Sequence, residues 1–481
     1  MTGDILAIDI GTSALKLGVF TSDLEKRCEA RRGYNIHVYD QGKADIEPEI
    51  WWQALRECCI EVRDELRGVS VVSLSVTTPG LTPMDAKGTA LAPAVLFLDG
   101  RSHAQAARVR EVVGDERFLT ETANLPVSGG SSLSSILWFR DARPEVWSAT
   151  SKFGHCNTYI IRRMTGLWAI DPSTASITGL YNTVQNDLTW NRTVLDLAGL
   201  SADLLPPLFQ SHEAIGPILP SVANELGLPV DCRVLCGGND ATLAALSGGV
   251  TEPGQISIVS GTCDIASVCI DAPISSANFN VRCHVVPRRW LTFFVLNTGG
   301  EALDWFHRTI CRELDERDFY DEYLPRVLEE FLSRPVGDDR EAELPSYEPY
   351  LGGSRYSLDR LTASFRGLNL ETTREDLLVS MIRGNMKYLG EHFVEMAGRV
   401  HLGRTAWLTG GGARIPGILG ARRRWTGDFE YVYQDQSSML GAAMLARMSQ
   451  SLSNDATPGG PRPGSAFTSA GQGGKRAAHR R

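Results

Sequence analysis

Twice along the chain an apolar run stops at a short turn of glycine and hydroxyl residues, and a second apolar run follows. No other feature narrows the fold as far. The first instance joins residues 5–9 (ILAID) to 15–20 (LKLGVF) through Gly11, Thr12 and Ser13; the second joins 257–259 to 265–270 through Ser260, Gly261 and Thr262. Apolar runs flanking a tight polar turn predict β-hairpins. Backbone N–H groups and hydroxyls in such turns can take phosphate oxygens, Lys16 can add positive charge, and Asp9 can organise Mg²⁺ through water. A plain hairpin accounts equally well for either turn taken alone, and neither fits the Walker A pattern.

The surroundings of the two turns repeat as well. With 481 residues the chain exceeds what one hydrophobic core usually serves, so two domains are expected, with a cleft between them. Pro48 suits the first turn of a helix over 49–66, where Ile50, Trp51, Ala54, Leu55, Cys58, Val62 and Leu66 share one face. A strand over 71–76, a turn at Pro79-Gly80 and a helix after Asp99-Gly100-Arg101 complete a β–helix–β alternation, which indicates an α/β domain. A similar order opens with the strand at 256–259 and ends with helical periodicity through Leu377, Leu378, Met381, Ile382 and Leu389. Glycines at 248 and 249, then Glu252-Pro253-Gly254, mark the division. The expected units are 1–247 and 248–450. Ser, Pro and Gly dominate 451–481, which predicts a disordered tail with a solvated basic end.

The net charge of −9 argues against a nucleic-acid binder with a broad basic face and leaves a small molecule as the expected partner. Without a basic leader, apolar core or cleavage site at its start, and without an apolar stretch of bilayer length, the sequence predicts a cytoplasmic protein that engages no membrane. The ten cysteines are scattered, two of them adjacent at 58–59, which suits reduced thiols. The spacing of Cys232 and Cys236, and the pair His155-Cys156, do not repeat as a zinc site requires.

Three further segments carry chemistry. The apolar run ending at Leu408-Thr409 meets Gly410, Gly411, Gly412 and Ala413, where a flat ligand can approach the backbone. Cys236-Gly237-Gly238-Asn239-Asp240-Ala241 places a carboxylate at a helix start, as a general base or merely as a helix cap. In Phe97-Leu98-Asp99-Gly100-Arg101, the Asp–Arg pair can hydrogen-bond hydroxyls of a ligand or brace a pocket. Trp51, Trp52, Trp138 and Trp305 offer stacking faces for a sugar, but aromatic residues at helical positions usually belong to a core.

In this order and context, the segments resemble the FGGY carbohydrate kinases from Ile5 to about Ala446. DIGTSALKLGVF is similar to the family's first phosphate motif, Ser260-Gly261-Thr262 to its second, and LTGGGAR at 408–414 to its adenosine motif. The segments at 47–52 and 438–443 also resemble family segments, as does 363–383, although Arg383 stands where an acidic residue is usual.

The resemblance implies two actin-like, ribonuclease H-like α/β domains enclosing a cleft that closes on sugar and excludes water. It implies ATP and Mg²⁺ as cofactors, with Asp9, Gly11, Thr12, Ser13, Lys16, Ser260, Gly261, Thr262, Gly410, Gly411, Gly412 and Ala413 around the nucleotide. Asp240 is the implied general base, beside Thr77, Thr78, Asp99, Arg101 and Asn239 at the acceptor. Thr77-Thr78-Pro79-Gly80 lacks both the Met-His pair of xylulokinases and the Arg-Glu pair of glycerol kinases. That makes glycerol a poor acceptor and leaves D-xylulose open. The stretches 171–176 and 179–182 resemble pentulose and gluconate kinases, and Asn297-Thr298-Gly299-Gly300 is placed to line the pocket from the second domain.

The expected activity is ATP-dependent phosphorylation of a ketopentose such as xylulose, with gluconate or another sugar acid as the alternative. A homodimer is compatible with it. An actin- or Hsp70-like ATP-binding switch and a catalytically silent sugar sensor are the rivals from other classes.

Overall fold

The structure, a computed structural model, describes residues 3–39, 42–434 and 438–455. Its first sheet runs in the order Ala214–Pro217, Arg233–Leu235, Val69–Val76, Asp4–Ile10, Ala14–Phe20, Lys26–Gly33, and Gly238–Asn239 pairs with the end of Val69–Val76. Asp4–Ile10 is antiparallel to Ala14–Phe20 and parallel to Val69–Val76. The second sheet repeats this plan. Ile256–Ser260 is antiparallel to Asp264–Ile270 and parallel to Thr405–Thr409, and Trp290–Leu296 follows on the hairpin side as Lys26–Gly33 does in the first.

Alternation along the first strand explains why a fully apolar run is tolerated there. Leu6, Ile8 and Ile10 face Trp51, Trp52, Leu55 and Cys58 of the helix Pro48–Glu61, whereas Ile5 and Ala7 face the helices Asp240–Ser247 and Ser438–Asp455. Trp51 and Trp52 are core residues; full burial of a large apolar side chain contributes about 1.5–3 kcal/mol. The helix expected over 49–66 ends earlier, at Glu61, and the charged stretch Arg63–Gly68 forms a 3₁₀ turn that feeds the strand at Val69. The second sheet is covered by the long helix Arg374–Ala397 through Leu389, Phe393 and Met396. Its start is fixed by a capping box between Thr373 and Asp376.

The helix Ser438–Asp455, last in sequence, packs through Met439, Ala442, Ala443, Leu445 and Ala446 on the first sheet, although it follows the second. It runs through Asp455, so 451–455 continue a helix where a tail was expected; 456–481 lie outside the described residues. Across the two units, Asn124 donates from Nδ2 to the Val281 carbonyl and accepts from its N–H, and Cys283 N–H donates to Ser176 Oγ. Side chains of the first unit thus satisfy the edge strand Asn280–Cys283, which would otherwise present unpaired backbone groups. No helix among the described residues is long and apolar enough to cross a membrane.

Candidate active site

Three parallel strand ends, those of Asp4–Ile10, Val69–Val76 and Gly238–Asn239, bring Asp9, Ser75, Thr77, Thr78, Asn239 and Asp240 to one edge of the first sheet. Carboxyl ends of parallel strands are where α/β sheets place ligands. Asp9 sits level with Ser75, whose hydroxyl donates to Asp9 Oδ1 at 2.8 Å, and opposite Lys16 across the hairpin. Burial pushes the Asp9 carboxyl above its usual range, against the pull of hydrogen bonds from Ser438 and Ser75 and of the Lys16 charge. The turn between the strands is held by Gly11 N–H to the Ala14 carbonyl and by Tyr34, whose hydroxyl donates to the Gly11 carbonyl. Thr12 and Thr77 share a hydroxyl contact at 3.4 Å, and Ser13 is exposed at the tip.

Asp240 begins the helix Asp240–Ser247, and Asn239 is its cap, accepting from Thr242 N–H at 3.2 Å. One Asp240 oxygen, Oδ1, accepts from Asn239 Nδ2 at 2.8 Å and from Ala241 N–H at 2.7 Å. Among the described residues nothing bonds Oδ2, which is left for a ligand. Burial first, then the neighbouring Asp9 charge, push the Asp240 carboxyl up to about 6; the Arg282 charge and the two N–H donors pull the other way. Asn239 also donates to Thr78 Oγ1 at 2.8 Å, and its own N–H reaches Ser173 Oγ at 2.9 Å. Ser173 in turn is anchored on Asp171, a fully buried carboxylate that accepts from Asn157, Ser173 and Ser211. Gly237 makes the approach possible: at φ +74 it passes the Leu74 carbonyl so closely that a Cβ would lie 2.3 Å from that oxygen.

The second turn builds a separate wall. Gly261 and Thr262 accept from Gly300 and Gly299 N–H at the start of the helix Gly300–Ile310. The Ser260 hydroxyl, expected at the nucleotide, is engaged inside the protein: it donates to Asp264 Oδ1 at 3.1 Å and accepts from Arg422 Nη2 at 2.7 Å, which also reaches Asp264 Oδ2 at 2.8 Å. The glycine turn lies directly against it. A Cβ on Gly410, at φ +95, would stand 2.1 Å from the Ser260 carbonyl oxygen, whereas Gly411 faces open space. Ala413 is buried behind them. Gly261, Thr262, Gly300, Gly411, Gly412 and Ile415 line one open cavity of about 470 Å³, of a size that suits a nucleotide. Gly410→Ala is expected to push the glycine turn off Ser260 and weaken ATP binding at least about tenfold, read by calorimetry, since a strained φ and a backbone clash each cost about 1–3 kcal/mol. Unchanged ATP affinity would remove the glycine turn from the nucleotide site.

Asp99 and Arg101 form a third group. Arg101 Nε donates to both Asp99 oxygens at 2.8 Å, its Nη2 reaches Asp45 at 2.8 Å, and Asp99 also accepts from Ala44 N–H. Asp99 is 1% exposed, so the pair braces the segment rather than facing the cleft with spare carboxylate oxygens. Sequence reasoning missed Ser75, Asp171 as an anchor, Arg422, and two arginines that enter from the second unit, Arg282 and Arg355. The available signal for Arg282 was an arginine flanked by Val281 and Cys283 within the short strand Asn280–Cys283. Arg383, the departure from the family signature, donates to the carbonyls of Glu341, Leu344 and Pro345 and so closes a loop.

The sequence profile of the FGGY family of carbohydrate kinases, N-terminal domain, matches residues 5–247. The chain belongs to the FGGY family of carbohydrate kinases. It is therefore a phosphotransferase acting on a small sugar, and membership implies ATP as donor. Among its relatives, a xylulose kinase of Bacillus subtilis is 27% identical over 456 residues, covering 92% of this chain and 87% of the relative. A gluconokinase of the same organism is 25% identical over 395 residues, covering 80% and 75%. Two solved structures from Lactobacillus acidophilus, a ligand-bound xylulose kinase and a gluconate kinase, both superpose with a TM-score of 0.84 at 21% identity, covering 94% and 95% of this chain and 90% and 91% of theirs. They establish the two-domain actin-like fold.

Proposed function

We propose that the chain transfers the γ-phosphoryl group of ATP to a hydroxyl of a small polyhydroxylated acceptor, with Asp240 as general base. The observation that carries this is the division of labour within one carboxylate: Oδ1 is fixed by two N–H donors while Oδ2 has no partner among the described residues. As the acceptor oxygen bonds to phosphorus and the bond from phosphorus to the β,γ-bridging oxygen breaks, Oδ2 takes the hydroxyl proton and ADP departs. Raised to about 6, the base is ionised at neutral pH yet basic enough to share the proton in the transition state.

In this proposal the 1–247 unit holds the acceptor and the first phosphate turn, with Gly11, Thr12, Ser13 and Lys16 at the phosphates. The 248–450 unit supplies Gly261, Thr262 and the 410–412 glycines; Ser260 acts through the turn it holds. A buried carboxylate that burial holds above its ordinary range suits a divalent cation, and Mg²⁺ characteristically binds one or two carboxylates plus phosphates and water, so Asp9 is the proposed holder through water. Bound there, Mg²⁺ would offset charge on the β- and γ-phosphates. Thr77 and Thr78 line the acceptor side, with Asp99 and Arg101 bracing it. The cytoplasm, where ATP is plentiful, is the proposed compartment.

The acceptor is a ketopentose on the likeness to xylulose kinase or a sugar acid on the likeness to gluconokinase. Coupled ADP release with MgATP across ketopentoses, polyols, hexoses and sugar acids, against a no-acceptor control, tests the kinase reading. One strong responder is expected. Demonstrated ATP binding with no acceptor-dependent turnover would favour the switch or sensor.

A further inference from the structure

Arg282 enters the acceptor end of the cleft from the edge strand Asn280–Cys283 as a buried charge with few partners among the described residues. Its residue is 8% exposed. Of its five N–H donors, one bonds Thr78 Oγ1 at 3.0 Å, and its Nε is buried without a partner among the described residues. The guanidinium lies over the Phe293 ring at 4.7 Å, which fixes its plane. Among the described residues no carboxylate comes within ion-pair distance of it. Asp240 faces it only through space, and Arg355 opposes it with like charge.

Arg355 is held from below, donating to Asn297 Oδ1 at 2.5 Å and to Cys263 Sγ at 3.4 Å, and it lies 4.6 Å over Phe97 of the first unit. It too lacks an acidic partner among the described residues. A cation this deep is costly unless paired and hydrogen-bonded, and arginine's planar fork matches a carboxylate.

We infer that the acceptor is a sugar acid, and that Arg282, with Arg355 behind it, receives the acceptor carboxylate beside the reacting hydroxyl. This rests on the kinase reading for the hydroxyl but on the arginines alone for the charge. The arginines carry two positive charges and the facing Asp240 one negative charge, with Asp9, whose charge also reaches Asp240, set against the Mg²⁺ it is proposed to hold. The remaining single positive charge matches a carboxylate; a phosphate ester would overfill it. The path from Arg282 to Thr78, from Thr78 to Asn239 and from Asn239 to Asp240 is three hydrogen bonds long, so carboxylate and reacting hydroxyl belong to one short carbon chain.

The test uses acceptors matched in carbon number and differing in charge: aldonates of four to six carbons, the corresponding alditols, D-xylulose, and sugar phosphates. Calorimetric binding to the wild-type protein, which requires no turnover, is expected to favour one aldonate over its alditol by about 10²-fold, the scale of a desolvated charge pair. Tighter binding of D-xylulose or of a sugar phosphate, or no binding of any aldonate at millimolar concentration, would overturn the inference.

In turnover, Arg282→Gln is expected to lower kcat/KM for the aldonate by about 10²-fold, mostly through KM, with partial rescue in Arg282→Lys. Equal losses for acid and neutral acceptors would assign Arg282 to general support and also overturn it. Should an aldonate bind without being phosphorylated, the kinase reading fails and the carboxylate site stands.

Discussion

With Asp240 as the proposed base, Asp240→Asn is expected to lower kcat/KM by about 10³–10⁴-fold while leaving ATP affinity unchanged, because an amide keeps the hydrogen bonds at Oδ1 but has no basic oxygen for the acceptor proton. Acceptor-dependent turnover and calorimetric ATP binding, measured on the same preparation, check both halves; near-normal turnover would remove Asp240 as the base. The wild-type pH profile should carry an acid limb near pH 6, since the base works only when ionised and its carboxyl is pushed up to about 6.

Stability is expected to move the other way. An ordinary carboxyl ionises near 3.8, so between about pH 4 and 6 the unfolded chain releases its proton before the folded one does. Stability contributed by this group therefore falls as pH rises through that window and stays reduced above it. The neutral amide escapes the penalty. The variant should be more stable at pH 7 by about 1–3 kcal/mol, the scale of a shift of about two pH units at a partly exposed group. A less stable Asp240→Asn protein would show that the site's other bonds outweigh the buried charge.

Arg422→Met is expected to cost about 3–5 kcal/mol of folding stability, because it leaves Asp264 as an uncompensated charge 7% exposed under the second phosphate turn. The same guanidinium nitrogen holds Ser260 Oγ, so the turn loses its fixed position and ATP affinity should fall with stability. Urea unfolding followed by tryptophan fluorescence, with ATP binding in parallel, measures both. Adding Asp264→Asn should recover part of the stability, since removing the orphaned charge removes the largest penalty. A loss below about 1 kcal/mol in the single variant would mean that the pair is solvated and the turn is held by backbone alone.

Much of the site was legible because it is written in local chemistry. A hairpin with a glycine–hydroxyl turn needs only its own residues to form, and so does a strand that ends in glycines; the turns at 11–13 and 260–262 and the strand end before the 410–412 glycines were legible in that way as candidates. The two-unit plan followed from seeing the same local pattern twice, since each half builds an antiparallel hairpin with a parallel strand beside it.

Side-chain partnerships across long sequence separations were not legible. Ser260 looked like a phosphate ligand, but its hydroxyl is taken by Arg422, 162 residues away. For Asp99 and Arg101 the sequence left open whether they meet a ligand or brace a pocket; in the fold they are satisfied by each other, Asp45 and the Ala44 backbone. The last helix follows the second sheet in sequence and covers the first. By itself the sequence determined the strands, their turns and the carboxylates at their ends, because period-two burial and turn chemistry act within a few residues. The tertiary structure alone decided which polar groups are spent on the protein and which remain for a ligand, because a hydrogen bond depends on distance in space. Arg282, 204 residues from the threonine it touches, was therefore recognised only in the fold.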